Sequence, residues 1–262
     1  MIVQPYWIDA HCHLAAPGIS ANLTPEISGA AEQGVELFMS SALSEEEYQW
    51  HLDLPHKYPD LSGSIFFCAG IHPYYSASSD KDFDLLSELA NTGKIVAVGE
   101  IGLDGRADNE DWQIKILRLQ LELARSYEMP VVFHVVQRYY QLYKILKDDF
   151  PKVRGYLHGF NGSRDIAEKF SIFELAFSLN ARLPAPDTLQ FIFQRGFFLL
   201  ETDAPYVRPP VEKSECNHLS NLTWTASHLS QLCSIEKNLL KQLQHSNFKL
   251  LFPDIEKSNE YR

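Results

Sequence analysis

Three residues at the end of the first apolar run, Asp9, His11 and His13, alternate with Ala10 and Cys12 in the segment DAHCHL. In an extended strand, alternation by two sends all three to one face, so both imidazoles aim at one point. Comparable residues end other apolar runs. Residues 96–100 read VAVGE and end on Glu100, residues 130–134 read PVVFH and end on His134, His158 follows Leu157, and residues 199–203 read LLETD and end on Asp203. An ionisable group inside an apolar strand is costly unless it is paired or coordinated. Four imidazoles, one Glu and one Asp converging on one end of a sheet suit two divalent cations bridged by a carboxylate. The chemistry of such a centre is activation of water for attack on phosphorus or carbon.

The elements that must position these residues are legible as short β-rich runs alternating with helical patterns. Strands are predicted over residues 6–9, 35–40, 64–69, 95–100, 130–135, 155–160, 174–180 and 197–203. Between them lie helical stretches such as 111–127, where Trp112, Ile116, Leu119 and Leu123 form one apolar stripe. Eight βα units in a chain of 262 residues predict an α/β fold, a single-domain (β/α)8 TIM barrel, rather than an open doubly wound sheet. Such barrels carry their active sites at the C-terminal ends of the strands, where the ionisable residues fall. A Pro-containing loop over 204–215 and a helical pattern over 221–245 follow the eighth strand and predict C-terminal helices packed on the barrel. The barrel domain is expected over 1–253, with a polar tail over 254–262.

Composition narrows the partners. Lys and Arg total 23 against 34 Asp and Glu, a net charge of −11. That balance argues against a broad basic surface coating nucleic acid or anionic membrane, while leaving room for local binding of a phosphate. No run approaches the roughly 20 apolar residues of a membrane span, and the N-terminal residues lack a signal-peptide pattern. Cys12, Cys68, Cys216 and Cys233 are widely separated with no CxxC, reading as free thiols in a reducing compartment. A cytoplasmic monomer is the expectation. Cys12 has the opposite parity to the two histidines and is expected in the outer core.

The cationic residues are unevenly placed. Lys57, Lys81 and Lys94 are the only ones in the first 105 positions, whereas 15 fall between Arg106 and Lys213. Arg106, Arg138, Arg164, Arg182 and Arg208 each follow closely on the end of strands four to eight. Together they read as a phosphate-binding arc, since a guanidinium donates two parallel hydrogen bonds to phosphate; solvated loop arginines are the alternative. His72, in GIHP just past strand three, is a candidate to bind a phosphate oxygen or orient a leaving group, or else to serve the loop structurally. Glu201 and Asp9 read as hydrogen-bonding supports of the site rather than ligands.

The motifs DAHCHL at 9–14, GIHP at 70–73, GEIGLD at 99–104, PVVFH at 130–134, HGFNGS at 158–163 and LLETDAPY at 199–206 run over about 200 residues. In that order they resemble the TatD family of metal-dependent deoxyribonucleases within the amidohydrolase superfamily. The resemblance implies that His11, His13, Glu100 and Asp203 bind one metal and that Glu100, His134 and His158 bind the second. It also implies the barrel and phosphodiester hydrolysis, often as exonuclease action on DNA. Three departures stand out: Ala15 where the family has an acidic residue, Val136 where it has Arg, and AFSLN at 176–180 where it carries glycine.

The reading is a metal-dependent hydrolase cleaving phosphodiesters at DNA ends with two divalent ions, Zn, Mn or Mg. Its substrate is DNA or an oligonucleotide held locally. Glu100 bridges the ions, and Asp203 takes the proton from the attacking water. The alternatives are an amidohydrolase-type enzyme acting on a small ester, lactone or amide, and a non-catalytic metal-binding barrel.

Overall fold

The computed structural model describes residues 5–74 and 80–255. Its elements run β1 (Trp7–Cys12), α1 (Pro17–Ser20), α2 (Leu23–Glu32), β2 (Val35–Ala42), α3 (Glu45–Lys57), β3 (Ile65–Ala69), α4 (Asp80–Asn91), β4 (Val98–Asp104), α5 (Glu110–Ser126), β5 (Val131–Val136), α6 (Tyr139–Asp149), β6 (Arg154–Leu157), α7 (Arg164–Phe170), β7 (Glu174–Leu179), α8 (Pro186–Arg195), β8 (Phe198–Leu200), α9 (Leu222–Leu232) and α10 (Lys237–Leu251). The eight strands are parallel and pair in sequence order, forming a nearly closed (β/α)8 barrel wrapped by helices. Each expected strand is present. Among the described residues no helix is long and apolar enough to cross a membrane.

The seam between β1 and β8 is closed by a side chain. The buried Asp9 carboxylate accepts hydrogen bonds from the Thr202 backbone N–H (2.9 Å) and hydroxyl (2.6 Å). Above it, Asp203 N–H donates to the His11 carbonyl and His13 N–H to the Ala204 carbonyl. Simple alternation along β1 does not hold: the ladder to β2 shifts register between Asp9 and Cys12. Ala10 therefore packs in the barrel interior with Ile8, His11 also reaches the interior, and Asp9 is turned to the seam rather than sharing a face with both histidines. Cys12 packs in the outer core, as its parity predicts.

The interior layer of Ile8, Ala10, Met39, Cys68, Val132, Tyr156 and Leu199 is plugged from below by Phe248, Leu251, Phe252 and Ile255. C-terminal helices thus pack on the barrel as expected, but the helical pattern extends to Leu251 and the buried chain to Ile255. Of the expected tail over 254–262, Asp254 is exposed and Ile255 buried, and residues 256–262 lie outside the described residues.

Helix α5 meets the core with Trp112, Ile116 and Leu123 of the expected stripe but not with Leu119. Leu119 is exposed, whereas Gln113, Leu117, Gln120, Leu121 and Ala124 are buried with Leu123. The two glutamines are buried because each satisfies a strand end. Gln113 accepts from Asp104 N–H (2.7 Å) and donates to the Asp104 carbonyl (2.9 Å). Gln120 does the same for Ile71, at 2.6 and 3.1 Å, fixing the residue before His72. A buried amide that pairs both of its ends costs little and orients what it holds.

Candidate metal centre

Glu100 is the third residue of β4 rather than its end, because the strand runs on to Asp104. The β4 ladder to β5 shifts register between Gly99 and Ile101, which turns Glu100 inward. The glycines of this motif have a steric reason. A Cβ at Gly102, where φ is +151°, would lie 1.9 Å from the His134 carbonyl oxygen, and one at Gly99 would lie 2.4 Å from Val132 Cβ.

The two oxygens of the buried Glu100 carboxylate face two separate groups. Oε1 is 3.3 Å from His11 Nε2 and 3.3 Å from His13 Nε2, and the Asp203 carboxylate is 3.4 Å from that same His13 nitrogen. Oε2 is 3.3 Å from His134 Nδ1 and 3.1 Å from His158 Nε2. Burial alone would raise the pKa of Glu100, but His158 and His11 hold it well below the usual carboxylate range. Asp203 is likewise lowered, burial being outweighed by His13 and the neighbouring imidazoles. His11 Nε2 and Glu100 Oε1 are buried without a hydrogen bond, although buried polar atoms are nearly always satisfied. The donor set and these unsatisfied atoms fit a metal centre. His11 with Glu100 and His158, and His11 with His13 and Asp203, lie close enough to hold cations.

Tautomers sharpen the assignment. His134 Nε2 lies 3.0 Å from Asp104 Oδ2. A carboxylate only accepts, so Nε2 carries the proton and Nδ1 is left bare toward Glu100. Asp104 is itself buried, and Arg106 grips it through Nε at 2.9 and 3.1 Å and through Nη2. Although burial opposes it, Arg106 and His134 hold Asp104 well below the usual carboxylate range. Behind His158, Glu201 sits 3.5 Å from Nδ1 and accepts from Gly159 N–H (2.7 Å) and the Asn180 amide (3.0 Å). Each far-side imidazole thus has a carboxylate at its back, which fixes ring orientation.

His72 is buried with Nε2 3.7 Å from Glu100 Oε2, and by distance alone it joins His134 and Glu100 as a possible ligand group. However, the Tyr74 backbone N–H donates to His72 Nδ1 at 3.1 Å. Burial lowers His72 to about 3, so the ring is neutral and its one proton sits on Nε2. His72 therefore presents a donor to the centre, not a lone pair.

A cavity of about 730 Å³ opens above the centre, lined by His13, His72, Glu100, His134, His158 and Asp203 together with Arg106 and Arg182. The other three arginines lie outside its lining: Arg138 pairs with Glu110 at 2.8 Å, Arg164 pairs with Glu168 within α7, and Arg208 donates to the Ser214 carbonyl. The structure thus brings Arg106 and Arg182 to the cavity and leaves the other three of the five engaged outside it. Asp104, Asn180 and the two glutamines of α5 are site-building residues that the sequence reading left without a role. For Asp104 a signal existed, since it follows Glu100 by four residues in a strand.

Residues 8–253 match a family model described as TatD related DNase. The chain is 32% identical over 210 residues to an Escherichia coli protein named as the metal-dependent hydrolase YjjV, covering 76% of this chain and 79% of that one. The crystal structure of YjjV superposes with a TM-score of 0.84 at 28% identity, covering 94% of this chain and 98% of that one. Human deoxyribonuclease TATDN3 is 24% identical, with 95% of each chain covered. A protein of Erwinia tasmaniensis named 3'-5' ssDNA/RNA exonuclease TatD is 30% identical, with 72% of this chain and 78% of that one covered.

Proposed function

The chain belongs to the family of TatD-related DNases and is a metal-dependent hydrolase of phosphodiester bonds, and from that premise we propose that it cleaves DNA at its ends with two divalent ions. The observation that carries the two-ion reading is the division of Glu100: one oxygen toward His11, His13 and Asp203, the other toward His134 and His158. His11, His13, Glu100 and Asp203 would hold one ion, and Glu100, His134 and His158 the second. Imidazole-rich sets favour Zn or Mn over Mg. When bound, such ions lower the pKa of water and neutralise charge on a nonbridging phosphate oxygen. Asp203, held ionised at the mouth, takes the proton of the attacking water on a carboxylate oxygen. His72 donates its Nε2 proton in a hydrogen bond to a phosphate oxygen, and Arg182 supplies the cation nearest the substrate's other phosphate oxygens. Residues 1–253 act as one domain and one chain carries the whole site, which supports a monomer. The free cysteines suit the reducing cytoplasm.

Elemental analysis of purified parent and Glu100→Ala tests the assignment, alongside product analysis on end-labelled DNA. Two ions per parent chain, loss of both in the variant and shortening from one end are expected. Full two-ion occupancy in Glu100→Ala would overturn the bridge.

A further inference from the structure

Two pairs of arginine and tyrosine face each other across the metal centre. The loop after β3 carries Tyr74 and the loop after β4 carries Arg106, whose guanidinium lies 5.4 Å from the Tyr74 ring centre. In a ring of eight strands paired in sequence order, β3 and β4 stand opposite β7 and β8. The loops after β7 and β8 carry Arg182 and Tyr206. All four side chains line the one cavity above the centre. Tyr74 is 48% and Tyr206 59% exposed, so each offers ring surface to a flat ligand. Tyr206 is placed beside the chemistry: its ring meets His13 edge-on at 5.0 Å, and its N–H donates to the Asp203 carbonyl.

The two pairs differ in charge. Arg106 is neutralised by Asp104, which is also committed to His134, so it backs Tyr74 as a flat plate more than as a phosphate anchor. The Arg182 side chain forms no hydrogen bond or ion pair among the described residues, so it brings the uncompensated cation of this cavity. One such cation and two aromatic faces cannot track a polyanionic strand, whose binding scales with the number of neutralised phosphates. They can hold two unpaired bases and the phosphate between them, because base stacking on an aromatic ring is insensitive to sequence and needs an open base face. A cavity of about 730 Å³ falls within the range of small-ligand sites.

Resting on the phosphodiester reading above, we propose that this site clamps a single unpaired dinucleotide step. One base stacks on Tyr74 and the other on Tyr206, with the scissile phosphate between them over the centre and the rest of the strand unbound. The substrate class is thus short: dinucleotides and the unpaired ends of longer chains, with equal affinity per end.

The test is equilibrium binding to the metal-loaded protein of a 2-aminopurine–thymidine dinucleotide with a methylene in place of the bridging ester oxygen, followed by fluorescence quenching. Loss of one stacking ring in Tyr206→Leu or Tyr74→Leu should weaken binding about 5- to 150-fold, with Tyr206→Phe restoring it. A ten-residue single strand carrying the same end should bind within about threefold of the dinucleotide, since further phosphates find no partners. Parental affinity in both Leu variants, or a decamer bound more than about tenfold tighter, would overturn the clamp. Turnover of base-free methyl p-nitrophenyl phosphate separates the two readings. If the loaded parent hydrolyses it while the Leu variants bind as the parent does, the clamp fails and phosphodiester hydrolysis stands. If neither it nor the unmodified dinucleotide is hydrolysed while binding still depends on both tyrosines, the clamp stands and the hydrolytic reading fails.

Discussion

Replacing Asp104 by Asn removes one proton acceptor and reaches the metal centre through a single imidazole. Asp104 is 1% exposed, and its Oδ2 lies 3.0 Å from His134 Nε2. In the variant the amide must choose. With Nδ2 toward His134 it demands a bare Nε2, which moves the ring proton to Nδ1 and blocks the nitrogen that faces Glu100. With Nδ2 toward Arg106 it sets two donors against each other. The first choice disfavours the ligating tautomer, and the second keeps it only by leaving the Arg106 guanidinium facing a donor. Loss of such a partner behind a metal ligand typically weakens affinity about 10- to 100-fold, equal to about 1.4–2.8 kcal/mol. Only the ion shared by Glu100, His134 and His158 should feel it, because His11 and His13 do not contact Asp104. Competition with a chromophoric chelator reads the two affinities separately: one should fall by that factor and the other by less than about twofold. Two affinities both within about twofold of the parent would refute the role given to Asp104. Equal losses at both sites would show that the substitution acts by general loosening instead.

Asp203→Asn should lower kcat about 10²- to 10⁴-fold while KM moves little, since an amide fills the position but cannot take the water's proton; near-parental turnover at saturating metal would exclude Asp203 as the base. The salt dependence of binding to a single strand should be shallow, with a log-log slope of about −0.7 to −1.4 for one or two phosphates, because Arg138, Arg164 and Arg208 are engaged outside the cavity; a slope steeper than about −3 would show contacts beyond it. Burial lowers His51 to about 4 from 6.5, so the unfolded chain binds the extra proton between those values, and stability is full above pH 6.5 and falls as pH drops toward 4. Urea unfolding at pH 7.5 and 5 should therefore show the parent losing about 2 kcal/mol more than His51→Gln, and equal losses would remove His51 from the acid response.

The fold and the candidate ligand set were legible in the sequence for the same reason: polar residues that end apolar runs are conspicuous. His13, His158 and Asp203 lie just past the ends of β1, β6 and β8, and His11 and His134 lie within two residues of the ends of β1 and β5, and such positions can be counted without knowing how strands pair. What pairing decides was less legible. The face of Asp9 depends on a register shift in β1 and the depth of Glu100 on one in β4, and neither shift leaves a mark in hydrophobic alternation. Gln113 and Gln120 carried no signal of their role, because an amide's burial depends on finding both a donor and an acceptor on another segment. The arginines failed to form an arc for an electrostatic reason of the same kind. Glu110, which ties Arg138 to the start of α5, and Glu168, which ties Arg164 within α7, lie 28 and 4 residues away in sequence, so proximity to a strand end could not tell a phosphate ligand from half of an ion pair. Arg106 and Arg182 both follow their strands closely, yet one faces a buried carboxylate and the other does not. The charge a substrate meets at this mouth is therefore set by Asp104 as much as by any arginine. Asp104 orients His134 and cancels Arg106, which leaves a site strong in metal ligands, poor in free cations and dependent on aromatic surface for its hold on the substrate.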